Sequence, residues 1–193
     1  GSETHQHTVC EQRRGHDVPV PLVLDTAAAA ARPTSEAVTA WATHQRVFIS
    51  SVMGDLGEHR HAVADAIREL GAHPVWFEEF GGRDEDAEHA YLAEVESCTV
   101  YVGILGRADG RLQASRHSAT QVEYREAERL GLRIAVWAAA AGGFQGDQQS
   151  FLDEVRLFHT TGSFTAPADL AAGVVSRLRE IAAEDLSPWV KVG

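Results

Sequence analysis

From Arg46 onward, short apolar runs and amphipathic stretches take turns along the chain. RVFIS at 46–50 is followed by a helical pattern over Asp55–Leu70, and HPVWF at 73–77 by another over Asp86–Ser97. TVYVGIL at 99–105 precedes the helical stretch His117–Gly131, and RIAVWAA at 133–139 precedes Asp147–Phe158. A weak strand, SFTA at 163–166, leads into a last helix over Ala168–Glu184. Runs that are apolar on both faces and separated by helices belong to strands covered on both sides, as in a parallel sheet built from βαβ units. The expected class is therefore α/β: a flavodoxin-like, doubly wound, five-stranded parallel sheet with helices on both faces. In such sheets ligands bind beyond the carboxyl ends of the strands, where the helices begin.

The first 44 residues lack this regularity. Gly1-Ser2 looks like a cloning remnant, Pro19, Pro21 and Pro33 punctuate the stretch after it, and the alanine run Ala27–Ala31 is short. The expected organisation is a tag remnant with a linker or arm over 1–44, containing a short helix at Ser35–Thr43, then an α/β domain over 45–186 and a tail over 187–193. His5, His7 and Cys10 have ligand-like spacing, but no second cluster completes a four-ligand set, so no metal is expected.

Charge and composition exclude several classes. With 17 basic against 28 acidic residues, the formal charge of -11 repels phosphate backbones and anionic membranes, so neither nucleic acid nor membrane is an expected partner. The longest apolar run, IAVWAAAAGGF, breaks at Gly142 and Gly143 well short of the roughly 20 residues that span a bilayer. Two cysteines are too few for a disulfide framework, which fits a reducing cytoplasm. The sole lysine is Lys191, so there is no P-loop, nor the lysine and aspartate of a receiver domain.

Within the helical stretch after the third strand, Ala119, Val122, Ala127 and Leu130 fall on one side, with Gln121, Arg125 and Glu128 on the other. Glu123 lies on the apolar side, about one turn in and so near the strand ends. A buried carboxylate is paired, held in a polar cleft, or kept for chemistry. Glu126 also points inward but a turn deeper, as a structural competitor. After the first strand, SSVMGD brings Ser50, Ser51 and Asp55 to a tight loop before a helix, with Asp55 as N-cap and free amides suited to a phosphate. Arg60 falls on the inward face of that helix, where it either pairs with Glu123 or holds a ligand phosphate. His59 and His61 read as surface residues. Glu79 in the acidic loop after the second strand, and Gly106, Arg107 and Ser118 in the loop after the third, complete the candidate substrate contacts.

VFISS, then FEEF, VYVGILG and SATQVEYREAERLG, resemble the TIR-like domain of unknown function found in bacterial signalling NTPases and antiviral defence proteins. VFIS is similar to the first motif of Toll/interleukin receptor (TIR) domains, and SATQVEY resembles the segment of nucleoside deoxyribosyltransferases that carries their nucleophilic glutamate. Ala119 stands where NAD-cleaving TIR domains often have tryptophan. The resemblance implies that Glu123 is the catalytic acid of an NAD or nucleotide N-glycosidase in signalling or bacterial immunity. NAD then enters as substrate, with no cofactor. It also implies self-association, because loops at the strand ends are ordered by a neighbour. The alternatives are a non-catalytic self-association or adaptor module, with Glu123 merely pairing Arg60, and a nucleotide sensor.

Overall fold

The computed structural model describes residues 32–51, 56–76, 87–107 and 117–187. In chain order the elements are α1 (Ser35–Ala42), β1 (Arg46–Ser51), α2 (Gly57–Leu70), β2 (His73–Val75), α3 (Ala87–Glu96), β3 (Val100–Leu105), α4 (Ala119–Leu130), β4 (Arg133–Ala139), α5 (Gln148–Phe158), β5 (Thr161–Phe164) and α6 (Pro167–Leu186). All five strands are parallel and lie in the order β2-β1-β3-β4-β5. The fold is thus the flavodoxin-like α/β class that the alternating pattern predicts. β5 begins two residues before the SFTA run, because Thr161 and Gly162 pair with Val136 and Trp137 although glycine is a weak strand former.

Successive strand residues point to opposite faces of the sheet. Val47, Ile49, Val100, Val102, Ile104, Ala135 and Trp137 pack with α1, α2 and α6. Phe48, Tyr101, Leu105, Val136 and Ala138 pack with α3, α4 and α5. Each face therefore has its own apolar core, and each strand sends alternate side chains to one or the other. Gly71 and Gly131 end α2 and α4 in left-handed backbone at φ 100° and 70°, a conformation that glycine adopts without the Cβ clash of other residues.

Two expectations about the helix ends change. The N-cap position of α2 is Leu56, which offers no side-chain cap, so Asp55 does not occupy it; Asp55 itself lies outside the described residues. The short helix in the arm is present as α1, and it is packed rather than peripheral. Val38, Trp41 and Ala42 are buried in the same core as α2 and α6, and the Trp41 indole Nε1 donates to Asp185 Oδ2 at 3.0 Å. The compact unit that holds the sheet begins at Arg32 and includes α1.

A single large side chain thus anchors α1. Trp41→Ala removes its packing and leaves a cavity, so unfolding in urea is expected to show a loss of about 3–5 kcal/mol. A loss below about 1 kcal/mol, the size of an ordinary surface substitution, would contradict the packing of α1.

Candidate active site

β1 is the point where the sheet's winding reverses: β2 lies on one side of it and β3 on the other. Crevices form at such a switch, above the carboxyl ends of the two strands. Ser50 and Ser51 are the last residues of β1, aligned with Gly103 and Ile104 of β3. Their side chains leave on opposite faces. Ser50 is buried on the α4 side, and its hydroxyl donates to Glu123 Oε2. Ser51 is half-buried on the α2 side and accepts from Arg60 Nη1 at 2.9 Å. The two strand-end serines therefore separate the acid from the arginine.

This geometry removes the ion pair between Glu123 and Arg60. Arg60 is buried on α2 as expected, but no bond joins it to Glu123. Glu123 is only 6 % exposed. Burial pushes its carboxyl up to about 7, and the hydrogen bond from Ser50 is the opposing influence. A guanidinium in contact would have pulled the value down.

Tyr101 and Thr120 complete the surroundings. Tyr101 is fully buried on β3 and its hydroxyl donates to the carbonyl of Thr120, in the first turn of α4, at 3.3 Å. Burial first, and the charge of Glu123 second, raise the Tyr101 pKa well above its ordinary value, so the phenol stays neutral beside the acid. Gly103 leaves room for this ring, since a Cβ there would approach Tyr101 Cε1 to 3.1 Å.

The face that α4 buries is turned from the expected one. Thr120, Gln121, Glu123, Tyr124 and Ala127 are buried, and Val122 only partly. Gln121 goes inward because it closes a capping box: its Oε1 accepts from the Ser118 N–H at 3.0 Å, while Ser118 Oγ accepts from the Gln121 N–H at 3.3 Å. Ser118 therefore fixes the start of α4. The S-x-x-Q spacing was the sequence signal for it.

The remaining candidates scatter. Gly106 is buried at the end of β3, and its carbonyl accepts from Gln148 Nε2 at 3.4 Å. Gln148, buried at the first position of α5, is a polar residue near the strand ends that the helical pattern did not single out. Arg107 is exposed and directed at the turn after β4, where a Cβ on Gly143 would come within 3.1 Å of its Nη2. Glu126 is half-buried, and its pairing with Arg129 at 2.6 Å, through the hydrogen bond first, lowers its pKa. His59 is not a surface residue, since both ring nitrogens are buried without hydrogen-bond partners and the ring lies 5.1 Å from that of Phe164. His61 is exposed, edge-on to Trp76. Asp55, Glu79 and most of the two glycine-rich loops lie outside the described residues, as do His5, His7 and Cys10. Among the described residues no cluster of His, Cys, Asp and Glu is suited to a metal, and no helix is long and apolar enough to cross a membrane.

The raised acid has a signature in stability. An unfolded glutamate loses its proton near 4.5 and the folded one near 7, so between these values the native state holds one proton more. The contribution of Glu123 to stability is then complete below pH 4.5, falls as pH rises, and is lost above about 7. Glu123→Gln lacks this slope. Relative to the parent, the variant is expected to gain about 3 kcal/mol between pH 4.5 and pH 8 in urea unfolding. Parallel pH profiles for the two proteins would contradict the burial of an ionisable acid.

No curated protein matches the chain. A solved structure, the activated Roq1 resistosome directly recognizing the pathogen effector XopQ (TIR domains), is similar at 12% identity and a TM-score of 0.42, covering 74% of this chain and 85% of that one. The model of a family described as a domain of unknown function, DUF4062, matches residues 46–178, from the first residue of β1 into α6. The chain belongs to the DUF4062 family.

Proposed function

We propose that this chain is a TIR-like module that breaks the N-glycosidic bond of NAD or a related nucleotide, with Glu123 as the reacting carboxylate. The observation that carries this reading is a buried carboxyl, titrating near 7, at the switch between β1 and β3 and hydrogen-bonded to a strand-end hydroxyl. A buried acid without a basic partner is costly to keep, and such groups concentrate where chemistry needs them. The VFISS and SATQVEY segments, which resemble those of TIR domains and nucleoside deoxyribosyltransferases, contribute the two members of this pair, Ser50 and Glu123.

The chemistry is set by the charge that develops. As the bond from the anomeric carbon to the base nitrogen breaks, its electron pair leaves with the base and the ribosyl carbon becomes positive. Ionised Glu123 offers a negative charge to that carbon in a site of low polarity, where it is worth more than in water. Ser50 fixes one carboxylate oxygen, leaving the other for the ribose. Water then adds to the carbon and releases a proton. Arg60, on the other face of β1, is suited to a phosphate of the same nucleotide, held in position by Ser51.

Incubation with NAD, NADP and nucleoside monophosphates, followed by chromatography, tests this. The expected product is nicotinamide or a free base, formed at a rate that rises with pH through about 7 as Glu123 ionises. Glu123→Gln, remaining folded, is expected to lose at least about 100-fold in rate, the loss typical of removing one such electrostatic stabiliser. Undiminished turnover in that variant, or no released base from the parent at any concentration, would end the N-glycosidase reading.

A further inference from the structure

Most of the described arginines are committed to carboxylates. Arg46, Arg125 and Arg133 tie separate elements together, and Arg68, Arg129, Arg156 and Arg177 pair within their own helices. Arg32 and Arg179 are exposed and, among the described residues, have neither an ionic nor a hydrogen-bonded partner. Both border one open cavity of about 790 Å³ between α1, α2 and α6, in the helix layer on the sheet face away from α4. Its floor is apolar, with Val38 of α1 and Leu70 of α2 each 8 % exposed. Ser35 and Ser176 bring hydroxyls that no protein group holds among the described residues. Glu69 and Glu180 line it too, but Arg177 matches Glu180 at 3.1 Å, so the two unpaired arginines outweigh the remaining acid.

We propose that this cavity binds a small organic phosphate that also carries hydroxyl groups, as a nucleoside monophosphate does. The two guanidinium groups and the serine hydroxyls donate, and phosphate oxygens are the acceptors that guanidinium forks fit best. Glu69 is an acceptor, which suits the hydroxyls of the same ligand, and the floor of Val38 and Leu70 suits its ring. The volume lies within the range of about 300–1,000 Å³ typical of small-molecule sites. Charge selects a small anion over an acidic peptide or a nucleic acid. The formal charge is -11, yet a ligand inside the cavity is governed by groups within a screening length of about 8 Å. A longer anionic chain would extend from the cavity over the acidic surface and be repelled.

This site lies apart from Glu123 and stands whether or not that acid is catalytic. Titration of the full chain with adenosine monophosphate, adenosine and inorganic phosphate, followed by NMR of assigned backbone amides, tests it. The expected result with the monophosphate is saturable shifts at Ser35, Glu69, Ser176 and Arg179. Adenosine and phosphate, each lacking part of the contacts, are expected to bind about tenfold more weakly or worse, a difference of 1.4 kcal/mol. Arg32→Gln combined with Arg179→Gln, two exposed changes that leave the core intact, is expected to weaken the monophosphate by a similar factor without altering thermal unfolding. Glu123→Gln, which removes turnover at the other site, is expected to leave these shifts unchanged. Shifts confined to the strand ends near Ser50 and Glu123, or no saturable shift at all, would overturn the proposal. So would adenosine binding as tightly as its monophosphate, unchanged affinity in the double arginine variant, or tighter binding of a glutamate-rich peptide.

Discussion

The two-residue period of β1 organises the whole site. A parallel strand cannot shift register by one residue without moving every side chain to the wrong face, and β1 is paired with β2 over residues 46–48 and with β3 over 47–51. Ser50 and Ser51, held in register by β3, are committed to opposite faces. Ser50 serves Glu123 on α4 and Ser51 serves Arg60 on α2. An acid and a base that a linear reading would pair are kept apart by one peptide bond's worth of alternation. What remains is an acid whose ionisation is opposed by burial and assisted by one hydroxyl.

Holding that acid in place is the work of the first turn of α4. The Ser118–Gln121 capping box fixes where the helix starts, and the Tyr101 hydroxyl bonds to the carbonyl of Thr120. The tyrosine ring is itself fixed by neighbours: it stacks on Phe48 at 6.2 Å and meets Tyr124 edge-on at 6.2 Å. The aromatic core of one sheet face thus positions the helix, and the helix positions Glu123. Because Ser50 is anchored in the sheet, the hydrogen bond between them ties helix to strand at the sheet's winding reversal.

Much of this was legible in the chain. The strands and the helices between them could be read because each strand is apolar on both faces and each helix carries a stripe, two periods that do not mimic one another. Glu123 could be read as inward because it shares the helical face of Ala127. What was not legible depends on contacts made at a distance in sequence. α1 lies in an alanine-rich, proline-punctuated stretch whose only strong apolar anchor is Trp41, and its partner Asp185 is 144 residues away. The fate of Arg60 turned on which of two adjacent serines faced it. His59 looks like a surface residue until Phe164 of β5 closes over it. Glu126 sits half-buried at the margin of the stripe, where Arg129, one turn on, pairs with it. Helical periodicity gives a direction to within about a quarter-turn, which separates centre from back but does not decide the margins.

The chemistry assigned to this site turns on Glu123 being buried without a basic partner among the described residues and steadied by Ser50. Carbon-13 NMR titration of the glutamate carboxyls, with Glu123→Gln used to assign the resonance, reads that state at the carboxyl itself. A midpoint near 7 is expected for Glu123 and a still higher one in Ser50→Ala, since the hydroxyl is the influence that lowers it. A midpoint at the ordinary value of 4.5, or one that falls when the serine is removed, would contradict it.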